Sequence, residues 1–320
     1  MAIEARGART PRKSPRKPRW RSNLLLSLTI LILLATGIAF WTTQNYLWRI
    51  PSPSNHSTPR ALIADQLSLN YPDPSFVTNT TQALTAGGYA VDYEGPSANA
   101  IDMFRQLPTQ GYDLIIIRAH QGGGQSIITT QPYSQSQYVA DQLTGALATA
   151  EVEGGPLYFA ITPRFVRQEM QGRFPGSTIV IMGCAALQGT QDLATAFLDK
   201  GANFFVGWDG SVTIIHTDTS TVSLVQQVSA GRSVPEATRI AGSADPVYGA
   251  RLEYLDWNSL VQGRIDNLVS QAALWSLLGA VLVLGPLAVF AAPKLFDLLD
   301  RIGGRTSRRK NHNPASKDPP

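Results

Sequence analysis

The chain has a single cysteine, Cys184, among 320 residues. An internal disulfide is therefore impossible, and a small secreted domain stapled by disulfides is excluded. The same count removes a thiolate zinc cluster, because one sulfur cannot complete its ligand set. Histidine is nearly as scarce, with four residues in all. Of these, His56 lies in the Pro- and Ser-rich stretch IPSPSNHSTPR and His312 in the C-terminal tail. His216, in His216-Thr-Asp218, has no metal-ligand company, so no metal centre is expected. The triple glycine of HQGGG (120–124) is not followed by Gly-Lys-Ser/Thr, so it is not a phosphate-binding loop. It looks like an esterase oxyanion loop, but no G-x-S-x-G elbow accompanies it, and the later His216 follows Cys184 too closely for that chain order. No cofactor is expected. Internal repeats and low-complexity core segments are also missing.

What the chain does have is charge sorted by position. The residues before the apolar segment Leu24–Trp41 sum to +7, those after the apolar segment Ala272–Ala292 to +4, and everything between to −7. Each segment has the length needed to cross a bilayer as a helix, about 17–25 residues. Clustered Lys and Arg stay on the cytoplasmic side. The expected organisation is a basic tail (1–22), a transmembrane helix (23–43), a linker (44–60), an α/β domain (61–250), a juxtamembrane segment (251–271), a second transmembrane helix (272–292) and a second basic tail (293–320). Both termini would be cytoplasmic and the domain extracytoplasmic, in a two-pass protein of the cell membrane. Trp41, Tyr46, Trp48 and Trp275 fall where interfacial aromatics are expected. A cleaved leader is the rival for residues 1–41, but no A-x-A-like site follows Trp41. The tails are accounted for by topology and anionic lipid head groups, so the bilayer is an expected partner and nucleic acid is not. Oligomeric state is not legible. Asn55-His-Ser and Asn79-Thr-Thr match the glycosylation sequon, a pattern frequent by chance.

Between the apolar segments, residues 60–65 (RALIAD), 89–93 (YAVDY) and 113–119 read as three strands. Helices at 74–86 and, capped by Ser97, through about Gln106 separate them. This β-α-β-α-β order predicts α/β architecture, with a mainly parallel doubly wound sheet and helices on both faces. Further on, the patterning predicts a hairpin at SIITTQPYS, a helix over 135–147 and a short strand at PLYFAI. A long buried strand at 178–182 follows, then a helix within 189–202 and a strand at NFFVGW. Helices at 217–230 and 234–241 close the domain.

In a parallel sheet, ligand sites form beyond the carboxyl ends of the strands. His120 directly follows the third strand, in YDLIIIRAHQGGG, and Cys184 follows the strand in STIVIMGCAALQG. If those strands are neighbours, both side chains emerge at one sheet edge. Each residue alone also fits a bland role, a small buried hydrophobe or a turn histidine. Together they fit nucleophilic catalysis, because an imidazole beside a thiol takes its proton. Attack on a carbonyl needs backbone N–H donors, and the glycines from Gly122 onward and the N–H of Cys184 are the candidates for that oxyanion hole.

DLIIIRAHQG and TIVIMGCAA resemble the paired signature of the caspase-like, or clan CD, cysteine peptidases, which include caspases, legumain, gingipains, clostripain and separase. LQGTQDLATAFLDKGANFFVGWDGSV is similar to the corresponding segment of gingipain-like and CHAT-type members. The resemblance covers about residues 60–241. It implies a caspase-like fold, a Cys184–His120 dyad and a peptide or protein substrate. It departs at Gln121, which stands where the family has glycine after the histidine. Members that cut after Arg or Lys place an acidic group in the pocket for that side chain, and Asp65 and Asp209 occupy plausible positions. The expected function is thus a membrane-anchored cysteine endopeptidase with a basic preference at the residue preceding the cut bond. The alternative is a catalytically silent caspase-like module that binds or signals.

Overall fold

The computed structural model describes residues 27, 29–38, 56–122, 125–152, 154–267, 269–272 and 274. Residues 29–38 are helical, but seven residues of the first apolar segment, nearly all of the second, and both basic tails lie outside the described residues. Among the described residues no helix is long and apolar enough to cross a membrane. The chain divides into two compact units, Met1–Tyr254 and Leu255–Pro320. The second is helical over 257–267.

In chain order the first unit contains β1 (Arg60–Asp65), α1 (Pro74–Ala86), β2 (Ala90–Glu94), α2 (Ala100–Gln106), β3 (Leu114–Arg118), β4 (Ile127–Pro132), α3 (Val139–Thr144), β5 (Leu147–Glu151), β6 (Leu157–Ile161), α4 (Pro163–Gln168), β7 (Thr178–Ile181), α5 (Asp192–Asp199), β8 (Phe204–Trp208), α6 (Ile214–Ser229), α7 (Val234–Ala241) and, at its boundary, β9 (Leu252–Asp256). Six strands form the central sheet in the order β2-β1-β3-β7-β8-β9. The pairs β1–β2, β1–β3, β3–β7 and β7–β8 are all parallel. The expected mainly parallel α/β sheet is therefore present, and β3 and β7 are direct neighbours.

Continuous apolar runs make these strands because both sheet faces are covered. Every residue of β3 is buried. Its alternate residues Leu114 and Ile116, with Ala61, Ile63, Val180 and Val206, join Phe76 and Leu84 of α1 and Leu224 and Val225 of α6 in one core cluster. The opposite face carries Ile115, Ile117, Ile179 and Phe205, all fully buried. There the Phe197 ring of α5 meets Phe205 at 5.8 Å between centroids. Helix α1 starts where it does because Pro74 occupies its first turn and the Asp73 carboxylate accepts the Phe76 N–H.

Several elements differ from the sequence expectation. Helix α2 begins at Ala100, and Ser97 is not its cap. The Ser97 hydroxyl instead accepts from Asn99 N–H, and Ile101 N–H donates to Gln131 Oε1 on β4. SIITTQPYS is one strand, β4, rather than a hairpin. It pairs antiparallel with β6, which pairs antiparallel with β5 to make a second, three-stranded sheet. The helix expected over 135–147 stops at Thr144, because Leu147 is the first residue of β5. Helix α4 and strand β9 have no counterpart in the sequence expectation; β9 extends the sheet past the expected domain limit at 250.

Candidate active site

The pairing of β3 with β7 matches each residue n with n + 64, from Leu114↔Thr178 to Ile117↔Ile181. Contact continues beyond the strands. Met182 N–H donates to Ile117 O at 2.9 Å, and a Cβ on Gly183 would lie 2.5 Å from Ala119 O. The next residues are His120 and Cys184, separated by the same offset. Two residues distant in sequence thus follow the carboxyl ends of adjacent strands, and both are half-buried.

Cys184 sits in a tight turn. The following residue, Ala185, has φ +60°, a left-handed conformation unusual for a residue with a Cβ and costing about 1–2 kcal/mol. Its N–H donates to Gly210 O at 2.8 Å, which ties the turn to the segment after β8. Val212 N–H points at the Cys184 sulfur, 3.5 Å away, and the thiol approaches Val212 O at 3.6 Å. Trp208 Nε1 donates to Thr217 Oγ1, whose hydroxyl donates to Met182 O, so the end of β7 is pinned to α6.

The Val212 loop is itself held by Asp245. This buried carboxylate accepts from Thr213 N–H and Thr213 O–H through one oxygen and from Val247 N–H and Tyr248 N–H through the other. Burial, the largest influence, pushes its pKa up, but the four donations together outweigh it and hold the carboxyl well below the usual carboxylate range. A depressed folded pKa contributes stability that is present above the unfolded value, about 3.9, and is lost as pH falls below it. Asp245→Ala is expected to cost about 2–3 kcal/mol at pH 7, because three backbone N–H groups lose their acceptor. Urea unfolding measured from pH 6 to pH 2 should show less acid loss in the variant than in the wild type. Parallel curves would refute the assignment.

The ring of His120 meets Tyr71 edge to face at 5.7 Å. Tyr71 O accepts from Nη1 of Arg118, the last residue of β3 and two residues before His120. Arg118 has no exposed surface, and its guanidinium grips Asp218 of α6 with Nε and Nη2, both at 2.8 Å, and Asp65 with Nη1 at 3.0 Å. Sequence reasoning does not single out Arg118 or Asp218; a charged residue ending a fully apolar strand, and Asp218 in the dismissed His216-Thr-Asp218, are the available signals. Burial is the largest influence on Asp218 and raises its pKa, against the lowering by Arg118. His216 packs on Trp208 and reaches Ser243 O through Nε2.

The expected substrate residues and Gly122 are engaged by other parts of the domain to different degrees. Asp65 is fully buried and paired with Arg118 and Ser68 N–H, so it offers no open acidic floor to a basic side chain. Asp209 is exposed at the end of β8, where one oxygen accepts Arg251 N–H and the other is not engaged by that bond. Gly122 N–H donates to Ser126 O at 3.0 Å, so in this conformation it is turned away from any carbonyl at Cys184. Gly123 and Gly124 lie outside the described residues. Among the described residues no group of His, Cys, Asp and Glu is arranged to hold a metal ion.

No family model matches the chain, and neither does any curated protein. Solved structures similar to it include two of the Saccharomyces cerevisiae separase–securin complex. One is 12% identical with a TM-score of 0.33, the other 9% identical with a TM-score of 0.28, each over 57% of this chain. The matched region is 10% of the other chain in both cases. What is established is a mixed α/β domain with a mainly parallel central sheet, and a functional reading must rest on the geometry at the ends of β3 and β7.

Proposed function

We propose that the domain is a caspase-like cysteine endopeptidase in which Cys184 is the nucleophile and His120 the general base and acid. The observation that carries this reading is the parallel pairing of β3 with β7, whose offset of 64 residues from Leu114↔Thr178 to Ile117↔Ile181 is also the separation of His120 and Cys184 just beyond the strand ends. His120 takes the thiol proton as the sulfur attacks a peptide carbonyl. The tetrahedral intermediate collapses, the C–N bond breaks, and His120 returns the proton to the leaving amine. Water then hydrolyses the thioester. Asp209 remains the candidate for a basic residue preceding the cut bond. The basic tails and apolar segments support anchoring in the cell membrane, with both termini cytoplasmic and the domain outside.

A second reading, a catalytically silent module that binds or signals, is favoured by one observation: the Gly122 N–H is already engaged with Ser126 O. Alkylation by iodoacetamide separates the two. In the full chain at pH 7, Cys184 should react rapidly, and His120→Ala should slow it about tenfold or more. Slow labelling that is unchanged in His120→Ala supports the silent module. On a peptide library, cleavage should vanish in Cys184→Ala and fall about 100- to 10,000-fold in His120→Ala. Asp209→Asn, compared on the same library, should depress cleavage after Arg and Lys more than after neutral residues.

A further inference from the structure

We infer that the side-chain carboxamide of Gln121 supplies the oxyanion donor of this site, in place of the backbone N–H that the loop directs elsewhere. The inference rests on the peptidase reading and deepens it. Three observations converge on it. First, the backbone after His120 is drawn toward β4: Gln121 forms an isolated antiparallel bridge with Ile127, Ile128 N–H donates to His120 O at 2.9 Å, and Gly122 N–H donates to Ser126 O. The loop is thus committed to the second sheet, and its first glycine cannot also face a carbonyl at Cys184.

Second, the side chain of Gln121 lies across the residue that precedes the nucleophile. A Cβ on Gly183 would sit 2.6 Å from Gln121 Cγ and 3.2 Å from Cδ. Only a residue without a side chain leaves the space that this carboxamide covers. Third, both Oε1 and Nε2 of Gln121 are buried with no hydrogen-bond partner among the described residues. Gln131 shows the ordinary arrangement, accepting from Ile101 N–H and donating to Tyr138 Oη. A buried amide left unpaired at both ends is costly and calls for a cause. A donor that must be free when charge develops on a carbonyl oxygen has such a cause, because preorganisation means carrying no competing bond.

In the reaction the sulfur–carbon bond forms, the carbonyl π pair moves to oxygen, and Gln121 Nε2–H donates to that oxygen. Nothing is transferred to or from Gln121. The test uses two reagents on the full chain. Iodoacetamide reacts at a saturated carbon and develops no oxyanion. Peptide aldehydes, as a pool randomised at the residue bearing the aldehyde, form a hemithioacetal through one.

For Gln121→Leu, alkylation should stay within about twofold of wild type, whereas aldehyde addition and peptide cleavage should fall about 100- to 1000-fold. The thermal midpoint should hold or rise, since two unpaired polar atoms leave the interior. Gln121→Ala, which adds no branched bulk, should show the same split. Unchanged aldehyde addition and cleavage overturn the inference. So does a joint fall of both chemistries with the midpoint, which marks a structural residue. If wild-type alkylation proves independent of His120, the peptidase reading itself has failed, and that outcome is seen without any Gln121 variant.

Discussion

Arg118→Met should destabilise the domain by about 3–5 kcal/mol at pH 7, the cost of removing one partner from a buried ionic cluster. The guanidinium has no exposed surface, and Asp65 and Asp218 are buried against it. Methionine fills much of the same volume, so the loss reports charge rather than a cavity. Two carboxylates would be left in the interior facing each other without a cation. Burial already raises the Asp218 pKa in the wild type, and loss of Arg118 removes the interactions that lower it.

The direction with pH follows from that sign. A carboxyl whose folded pKa exceeds its unfolded value stabilises most below the unfolded value and loses that contribution as pH rises through the folded one. The deficit of Arg118→Met should therefore shrink on acidification from pH 7 toward pH 4. Urea unfolding of the full chain at several pH values measures this. The replacement of all three charges, Asp65→Leu, Arg118→Met and Asp218→Leu, should recover most of the loss. A single variant within about 1 kcal/mol of wild type at pH 7 would show that the cluster does not hold the end of β3 as described.

Gly183→Ala should cost about 1–3 kcal/mol through overpacking and also disturb the thiol. The new methyl group would stand 2.5 Å from Ala119 O and 2.6 Å from Gln121 Cγ. The glutamine can swing away, but the carbonyl belongs to the backbone that leads into His120. Relief therefore requires the ends of β3 and β7 to part, which moves Cys184 relative to His120. The His120-dependent part of the iodoacetamide rate should fall at least about tenfold, in step with the loss of a base poised at the thiol. Gly210→Ala is the control: its methyl would meet Ala250 Cβ at 3.4 Å, an ordinary contact. Equal stability and equal alkylation for the Gly183 and Gly210 variants would count against close apposition of the two strand ends.

The parts of this protein legible from sequence are those where one chemical pattern admits one environment. LIII and IVIM are continuous apolar runs, and such runs are buried on both faces of a parallel sheet. Helix α7 has the limits that its sequence predicts, because its punctuation is local. Ser233 stands before Val234, Pro235 falls in the first turn, and Glu236 N–H donates to the Ser233 hydroxyl. In contrast, ITTQP and LATAE have weak apolar character, and their strand state comes from pairing with β6. Likewise α2 takes its cap from Gln131, thirty residues away, where a local reading finds only Ser97.

The candidate site divides in the same way. By itself the chain singled out the candidate residues, since one thiol and one strand-end histidine leave few choices, and it placed each at the end of a buried strand. The tertiary structure decided the rest: the pairing that makes β3 and β7 neighbours with an offset of 64 residues, the ion pair that closes Asp65 behind Arg118, and the bridge to β4 that turns Gly122 away and lays Gln121 over Gly183. Strand order and register arise from packing between segments separated by 53 to 100 residues, as in the Arg118 ion pairs. Local propensity reaches only a few residues, so it could name these side chains but not bring them together.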